Sequence, residues 1–294
     1  MGKALADAYP AVGRLFEEAD RTLGFPLSTL CFEGPDDQLK LTENTQPALL
    51  AVSIAAAEVL RELGITPDYV AGHSLGEYSA LVAAGSLSFG DALRLVRKRG
   101  RYMQEAVPPG VGAMAALLKL PEGKLEGVLV EAAQGEVVEA ANLNSPDQIV
   151  IAGHAGAVGR AIELAKAAGA RRAVLLPVSA PFHCALMKPA QERLRSDLDS
   201  TDFADLRFPL VNNWQARIVS AGPAAREGLY HQIPNPVRWT DSIRHLASAG
   251  VTRFIEVGPG AVLTGLLRSI DTNLSGLKFG TPADVQNLQS KGAS

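Results

Sequence analysis

Apolar residues in the first third of the chain form long helical segments, separated by one short run typical of a buried strand. The segment 45–63 is apolar almost all round, with Thr45 as a candidate cap, and this predicts a buried helix. A short apolar run predicts a strand at 69–71, followed by helices at 75–84 and 88–106. This succession of helix, strand, turn and helix indicates a parallel α/β sheet.

The middle of the chain has a different order of elements. Its pattern predicts a strand, a helix, two strands, a helix and a strand, at 113–120, 122–133, 137–142, 148–152, 155–168 and 173–178. This β-α-β-β-α-β order is that of a ferredoxin-like unit. Proline-containing turns bound it on both sides. We therefore expect a small domain at 108–180, inserted into an α/β core formed by 1–107 and 181–294.

The alternation of helices and strands resumes after this insert. The predicted strands and helices lie at 187–198 (helix), 208–212 (strand), 240–249 (helix), 254–257 (strand) and 261–270 (helix). Residues beyond Asp271 are mostly polar, and we expect this tail to be mobile. At the other end, residues 1–20 predict an amphipathic helix of mixed charge rather than a signal peptide.

Composition excludes several classes of protein. The 294 residues are 47% hydrophobic, which is enough to form a core, and 28 basic against 31 acidic residues give a net charge of −3. No block of five or more like charges occurs, which argues against nucleic acid as the main partner. The two cysteines, Cys31 and Cys184, predict a reduced, cytoplasmic protein without a disulfide framework. No apolar run is long enough to predict a membrane span.

The sharpest chemical feature is the G-x-S-x-G motif Gly72-His73-Ser74-Leu75-Gly76, which lies between a predicted strand and a predicted helix. In that context the motif is typical of a nucleophile elbow, a strained turn that exposes the serine hydroxyl and aims the next backbone N–H at an oxyanion. The competing interpretation is a glycine-rich turn in which Ser74 only caps the helix. The strand and helix on either side favour Ser74 as a nucleophile, with the Leu75 N–H as an oxyanion donor.

A serine nucleophile needs a base, and the chain offers five histidines. His73 adjoins the serine, and its side chain is expected to point away into packing or a hydrogen bond. His154 is a candidate helix cap, and His245 lies on an amphipathic helix where a surface position is expected. His183 differs because it follows Ala180-Pro181-Phe182, a turn where the chain re-enters the core. From the residues alone, His183 is one candidate base among these histidines.

Several segments, the elbow among them, occur along the chain in the order of one family. They are 71–80, 99–100, 103–106, 112–114, 142–153, 183–184, 235–239 and 256–260. Together they closely resemble the malonyl-CoA:acyl-carrier-protein transacylases over nearly the whole chain. The resemblance implies an α/β-hydrolase-like core with a ferredoxin-like insert. It also implies that Ser74 is the nucleophile and His183 the base.

The same resemblance assigns residues to substrate binding. Arg99 matches the arginine that holds the malonyl carboxylate, and Met103 and Phe182 match residues near the acyl group, with Phe182 resembling the malonyl-selective pattern. A guanidinium suits this task because it binds a carboxylate through two parallel hydrogen bonds. Gln232 matches the position whose backbone carbonyl orients the histidine. Asp241 and Glu256 remain candidate acids, but the resemblance implies a Ser–His pair instead of a full triad.

The chain departs from the family at its start, which aligns just after the usual apolar strand and Gly-Gln-Gly-Ser-Gln loop. We expect a chain without that loop to lack one oxyanion donor, and therefore to be less active and less soluble than an extended form.

The resemblance implies transfer of malonyl from malonyl-CoA to the phosphopantetheine thiol of acyl carrier protein through a malonyl-serine intermediate, in fatty-acid or polyketide synthesis. No metal or redox cofactor and no membrane partner is expected, and the protein is expected to be a monomer. One alternative is a serine thioesterase or other hydrolase. Another is a catalytically impaired module that binds the carrier protein, because the loop is absent.

Overall fold

The computed structural model describes residues 1–178 and 180–292 and has an α/β architecture. Its helices, in chain order, are α1 (Lys3–Ala8), α2 (Pro10–Leu23), α3 (Leu27–Glu33), α4 (Asp36–Leu39), α5 (Thr42–Glu62), α6 (Leu75–Ala83), α7 (Phe89–Glu105), α8 (Leu125–Ala133), α9 (Ala155–Ala167), α10 (Lys188–Asp199), α11 (Gly222–Gln232), α12 (Trp239–Ser248), α13 (Val262–Ile270) and α14 (Val285–Gly292). Its strands are β1 (Val70–Ala71), β2 (Gly112–Leu118), β3 (Val138–Ser145), β4 (Gln148–His154), β5 (Arg172–Leu175), β6 (Leu210–Val211), β7 (Ile218–Val219), β8 (Arg253–Val257) and β9 (Ser275–Phe279).

The core is built around two pairs of parallel strands. β1 pairs with β6 in parallel, and β7 adds to β6 in the antiparallel sense. β8 and β9 form the second parallel pair, aligned from Arg253 opposite Ser275 to Val257 opposite Phe279. Helices α5, α6 and α7 pack together on this framework, so the apolar α5 is buried as the sequence predicted.

Helix α5 begins earlier than the sequence predicted. Its first residue is Thr42, whereas Thr45 was expected to cap it. The Thr45 hydroxyl instead donates to Leu39 O at 2.5 Å, which ties the first turn to the preceding segment. The predicted cap was therefore wrong. Although α5 is 21 residues long, no helix of the described chain is both long and apolar enough to cross a membrane.

The middle of the chain forms the ferredoxin-like subdomain. Strands β2 to β5 make an antiparallel sheet in the order β3-β4-β2-β5, and the crossover helices α8 and α9 pack against each other. These elements lie within the expected range 108–180. Side chains from alternate positions of β2 face opposite sides of the sheet: Ala115 and Leu117 contact the helices, while Met114 and Ala116 pack with Cys184. The second face of the small sheet therefore supports the segment that carries His183.

The two chain ends differ from their predictions. The amphipathic segment 1–20 is interrupted at Tyr9, after which Pro10 begins a new helix, α2, at a position where its missing N–H costs nothing. The expectation of a mobile tail beyond Asp271 was wrong. Strand β9 pairs with β8, Phe279 is fully buried, and α14 follows. The polar composition of the segment beyond Asp271 does not reveal that the main chain of β9 pairs with β8.

Candidate active site

The turn between β1 and α6 has the geometry of a nucleophile elbow. Ser74 has φ 52° and ψ −107°, a backbone conformation that residues other than glycine rarely adopt. It occupies the N-cap position of α6, yet its side chain makes no capping hydrogen bond. The alternative in which Ser74 merely caps the helix is therefore wrong. Leu75 is the first residue of α6, so its N–H belongs to the helix terminus that favours negative charge.

Gly72 lets the elbow close. A Cβ atom at Gly72 would lie 1.9 Å from the carbonyl carbon and oxygen of Gly76, whereas a Cβ at Gly76 would have no neighbour within 4 Å. The two glycines of the motif therefore have different roles. Only Gly72 is required by close backbone approach, and the turn cannot keep its shape with a side chain there.

We expect Gly72→Ala to lower the free energy of unfolding by about 3 kcal/mol and to abolish acylation of Ser74, because the added methyl group forces the elbow open. Gly76→Ala is the matched control and should leave stability unchanged or raise it by up to about 1 kcal/mol. Denaturant titration measures the free energy of unfolding, and the intact mass after mixing with an acyl thioester measures acylation of Ser74. Normal acylation of Gly72→Ala protein would show that the elbow tolerates a side chain at position 72.

Ser74 and His183 form a direct pair. The Ser74 Oγ lies 2.7 Å from His183 Nε2, and His183 Nδ1 lies 3.0 Å from the backbone oxygen of Gln232. Because a carbonyl oxygen only accepts, Nδ1 carries the ring proton and leaves Nε2 free to accept the serine proton. Gln232 thus occupies the place that the resemblance implied, and His183 is 3% exposed.

The protonation state of His183 suits a base. Burial, and secondly the positive charge of Arg99, lower the pKa of His183 to about 3. The imidazole is therefore neutral throughout the physiological range and can accept a proton. A carboxylate bound to Arg99 would offset part of that charge and strengthen the base.

Arg99 brings a buried positive charge to the Ser74 hydroxyl. It lies on α7 and is only 2% exposed. Its Nη2 atom donates to Ser74 Oγ at 3.0 Å and to Gln232 Oε1 at 2.8 Å, and its Nη1 atom donates to Gln46 Oε1 at 2.8 Å. No carboxylate within the described ranges lies at salt-bridge distance from it. A substrate carboxylate would supply the missing ionic partner, and burial would strengthen that pair.

Comparison with known proteins gives evidence that is independent of this geometry. The model of one family, described as acyl transferase domain, matches residues 1–277. The chain belongs to the acyl transferase domain family. A relative from Bacillus subtilis strain 168, named malonyl CoA-acyl carrier protein transacylase, is 50% identical over 287 residues, which cover 97% of this chain and 90% of the relative. A relative of the same name from Escherichia coli K12 is 48% identical over 95% of this chain and 91% of its own length.

Solved structures have the same fold as this acyl transferase over nearly its full length. One is a malonyl-transacylase in complex with its type II PKS acyl-carrier protein, with a TM-score of 0.96 and 46% identity over 99% of this chain and 94% of that chain. The fold class expected from the sequence is thereby confirmed.

A buried polar network supports the Ser–His pair of this acyl transferase. Asn213 Oδ1 accepts from the Ser74 backbone N–H at 2.7 Å, while Asn213 Nδ2 donates to Gly72 O at 2.7 Å. Gln232 Nε2 donates to Ser74 O at 2.9 Å and to Glu77 Oε2 at 2.8 Å. The network fixes both backbone ends of the elbow. Sequence reasoning missed Asn213, Glu77 and Gln46, although the position of Asn213 just after strand β6 was a usable signal.

The remaining residues assigned to the substrate lie near this network. Phe182 is half-buried beside His183 and packs against both the core and the small sheet. Met103 is 2% exposed and lies one turn beyond Arg99 on the same face of α7. Their contact with an acyl group stays a prediction.

The other histidines lie away from the nucleophile or point elsewhere. His73 Nε2 contacts Asn144 Oδ1 at 2.8 Å, which is the hydrogen-bonding role expected for it. His154 occupies the N-cap position of α9, as expected, but its side chain makes no capping hydrogen bond, because its Nδ1 accepts from Val137 N at 3.0 Å. His231 pairs with Glu227, and His245 Nδ1 contacts Ala216 O.

Neither candidate acid forms a triad with His183. Asp241 pairs with Arg238, and Glu256 accepts from the backbone N–H groups of Leu263 and Thr264.

Proposed function

We propose that this acyl transferase moves a malonyl group from malonyl-CoA to the phosphopantetheine thiol of acyl carrier protein. The observation that carries the proposal is the buried Arg99 guanidinium, 3.0 Å from the Ser74 hydroxyl and with no carboxylate of a described residue at salt-bridge distance. A malonyl thioester has a free carboxylate that this fork can bind, whereas an acetyl thioester has none. The relatives named malonyl CoA-acyl carrier protein transacylase support the same substrate and acceptor.

The first half-reaction loads the enzyme. Ser74 Oγ attacks the thioester carbonyl while His183 Nε2 takes the hydroxyl proton. The carbonyl oxygen becomes an oxyanion, towards which the Leu75 N–H at the start of α6 donates. Collapse of this intermediate breaks the carbon–sulfur bond, and the coenzyme A thiolate leaves with the proton held by His183. The product is a malonyl ester on Ser74.

The second half-reaction reverses these roles. The phosphopantetheine thiol of the carrier protein gives its proton to His183, and its sulfur attacks the malonyl ester carbonyl. The bond to Ser74 Oγ then breaks, and His183 returns the proton to the serine. Each proton and bond change is assigned to Ser74 or His183, so the proposal includes no metal or redox cofactor.

We further propose that the protein acts as a monomer in the cytoplasm. All three groups that act on the malonyl thioester, Ser74, His183 and Arg99, come from one chain, which supports activity without a second copy. Cys31 and Cys184 are buried free thiols, which supports a reducing compartment.

Intact mass after mixing with malonyl-CoA tests the proposal. We expect one malonyl group per chain, stable until a pantetheine thiol or carrier protein is added. A thioesterase would instead lose the adduct to water at the same rate with and without the thiol. A protein that binds carrier protein but never forms the adduct would be the impaired binding module, and the transfer function would be wrong.

A further inference from the structure

Glu77 is a buried acid one turn after the nucleophile that the reaction described above does not use. It is fully buried on α6. Its Oε2 atom accepts from Asn213 N at 3.1 Å and from Gln232 Nε2 at 2.8 Å. Because an ionised carboxylate only accepts, it holds the Gln232 amide with Nε2 towards Glu77 and Oε1 towards Arg99. The orientation of the acceptor that faces Arg99 therefore depends on Glu77.

Glu77 also affects Arg99 through charge. The guanidinium donates to three uncharged oxygens, from Gln46, Ser74 and Gln232. Burial lowers the pKa of Arg99, and the charges of Tyr78 and Glu77 oppose that shift. Glu77 lies beyond the Gln232 amide, outside salt-bridge distance, yet Arg99 in turn acts to lower the pKa of Glu77, so each charge stabilises the other. Before substrate arrives, Glu77 is thus a buried counter-charge for Arg99.

The second carboxylate oxygen has room for a proton. Glu77 Oε1 is buried and makes no hydrogen bond with any described residue. It faces Gly228, where an added Cβ atom would lie 3.7 Å from it. A proton on Oε1 would leave both hydrogen bonds to Oε2 in place, so Glu77 can become neutral without releasing Gln232 or Asn213.

We propose that Glu77 is a positioning residue that takes up a proton when an acyl carboxylate binds Arg99, so that binding of a malonyl group and protonation of Glu77 are coupled. An acyl carboxylate bound to Arg99 neutralises the positive charge that stabilised ionised Glu77, and its own negative charge repels Glu77. Both effects raise the pKa of Glu77. Protonation on Oε1 relieves that repulsion. This inference rests on the proposed function for its ligand, the malonyl group, but not on completion of the transfer.

The sign of the pH dependence follows from the burial of Glu77. Burial raises the pKa of Glu77 to about 7, against the hydrogen bonds from Gln232 and Asn213 and the charge of Arg99. The other titratable group beside it is Tyr78 on the same helix, whose pKa is raised to about 12 by burial. His183, with a pKa lowered to about 3, stays neutral when the ligand binds, so it does not account for a proton taken up from solvent. Affinity for malonyl-CoA should therefore fall as pH rises above about 7, by up to about tenfold per pH unit.

Two measurements test the coupling. The first is the pH profile of KM for malonyl-CoA and acetyl-CoA in the wild type, Glu77→Gln and Asp284→Asn. Glutamine keeps an acceptor towards Gln232 and carries no charge, so we expect its malonyl profile to be flat. At about pH 8.5 Glu77→Gln should bind malonyl-CoA more tightly than the wild type. Asp284 is another buried acid, at 5% exposure, whose carboxylate accepts from Gly280 N and Thr281 N and pairs with Lys278 instead of with the site residues, and its variant should keep the wild-type slope.

The second measurement does not require Glu77→Gln to fold. Calorimetric titration of Ser74→Ala protein with malonyl-CoA, in two buffers of different ionisation enthalpy, counts the protons bound with the ligand. We expect up to one proton taken up with malonyl-CoA between about pH 6.5 and about pH 8.5, and none with acetyl-CoA.

The outcomes separate this inference from the proposed function. Binding of malonyl-CoA without proton uptake across that range, or equal pH slopes in the wild type and Glu77→Gln, would overturn the coupling. Proton uptake in a protein that never forms a malonyl-serine adduct would support the coupling and contradict the transfer function.

Discussion

Ser74→Ala protein is expected to form no malonyl adduct, and His183→Ala protein to form it about 10²–10⁴-fold more slowly than the wild type. The first change removes the atom that bonds to the acyl group. The second removes the acceptor 2.7 Å from that atom, so the hydroxyl must attack without losing its proton to a base. Rapid-quench mass measurement of the malonyl-CoA reaction gives both rates.

His245→Ala is the control for the loss of an imidazole. His245 is exposed on α12, and the one hydrogen bond of its imidazole to a described residue is to the backbone oxygen of Ala216. It should load at the wild-type rate. Folded Ser74→Ala protein that still acquired one malonyl group would place the nucleophile elsewhere. An unchanged loading rate in His183→Ala would mean that another group accepts the proton.

The elbow around Ser74, the candidate nucleophile, could be predicted from the sequence because its signal is local. The glycines of the elbow and the strand and helix beside it lie within a few residues of Ser74, and Gly72 makes its critical contact with Gly76. His183 is 109 positions away from Ser74, and no local pattern links the two. The residues alone therefore left His183 uncertain, and only the family resemblance selected it.

The residues that were missed belong to contacts between distant segments. Glu77 looks like an ordinary acidic residue in the first turn of a helix, and its burial depends on Asn213 and Gln232 from elsewhere in the chain. Strand β9 was mistaken for a mobile tail for the same reason, since its stability comes from parallel pairing with β8. Burial of a polar group and pairing of a short strand are both set by the tertiary partner.

Arg99→Ala should change the ratio of malonyl to acetyl loading of Ser74 more than any other substitution. We expect malonyl loading of Ser74 to fall by about 10²–10³-fold, because the change removes a buried, two-pronged partner of the carboxylate. Acetyl loading should be kept or increased. The acetyl group has no carboxylate to lose, and removal of the Arg99 charge raises the pKa of His183 towards that of an ordinary base.

The ratio of malonyl to acetyl loading measures this effect independently of stability. Retained acetyl loading shows that the elbow and the Ser74–His183 pair are intact, so a loss confined to malonyl must come from the carboxylate. Arg101→Ala, an exposed arginine on the same helix, should leave the ratio unchanged. Arg99→Lys keeps the charge but not the fork and should fall between the wild type and alanine. Equal losses for both acyl groups in Arg99→Ala would make Arg99 a structural residue, and the carboxylate would then have to be held by another group.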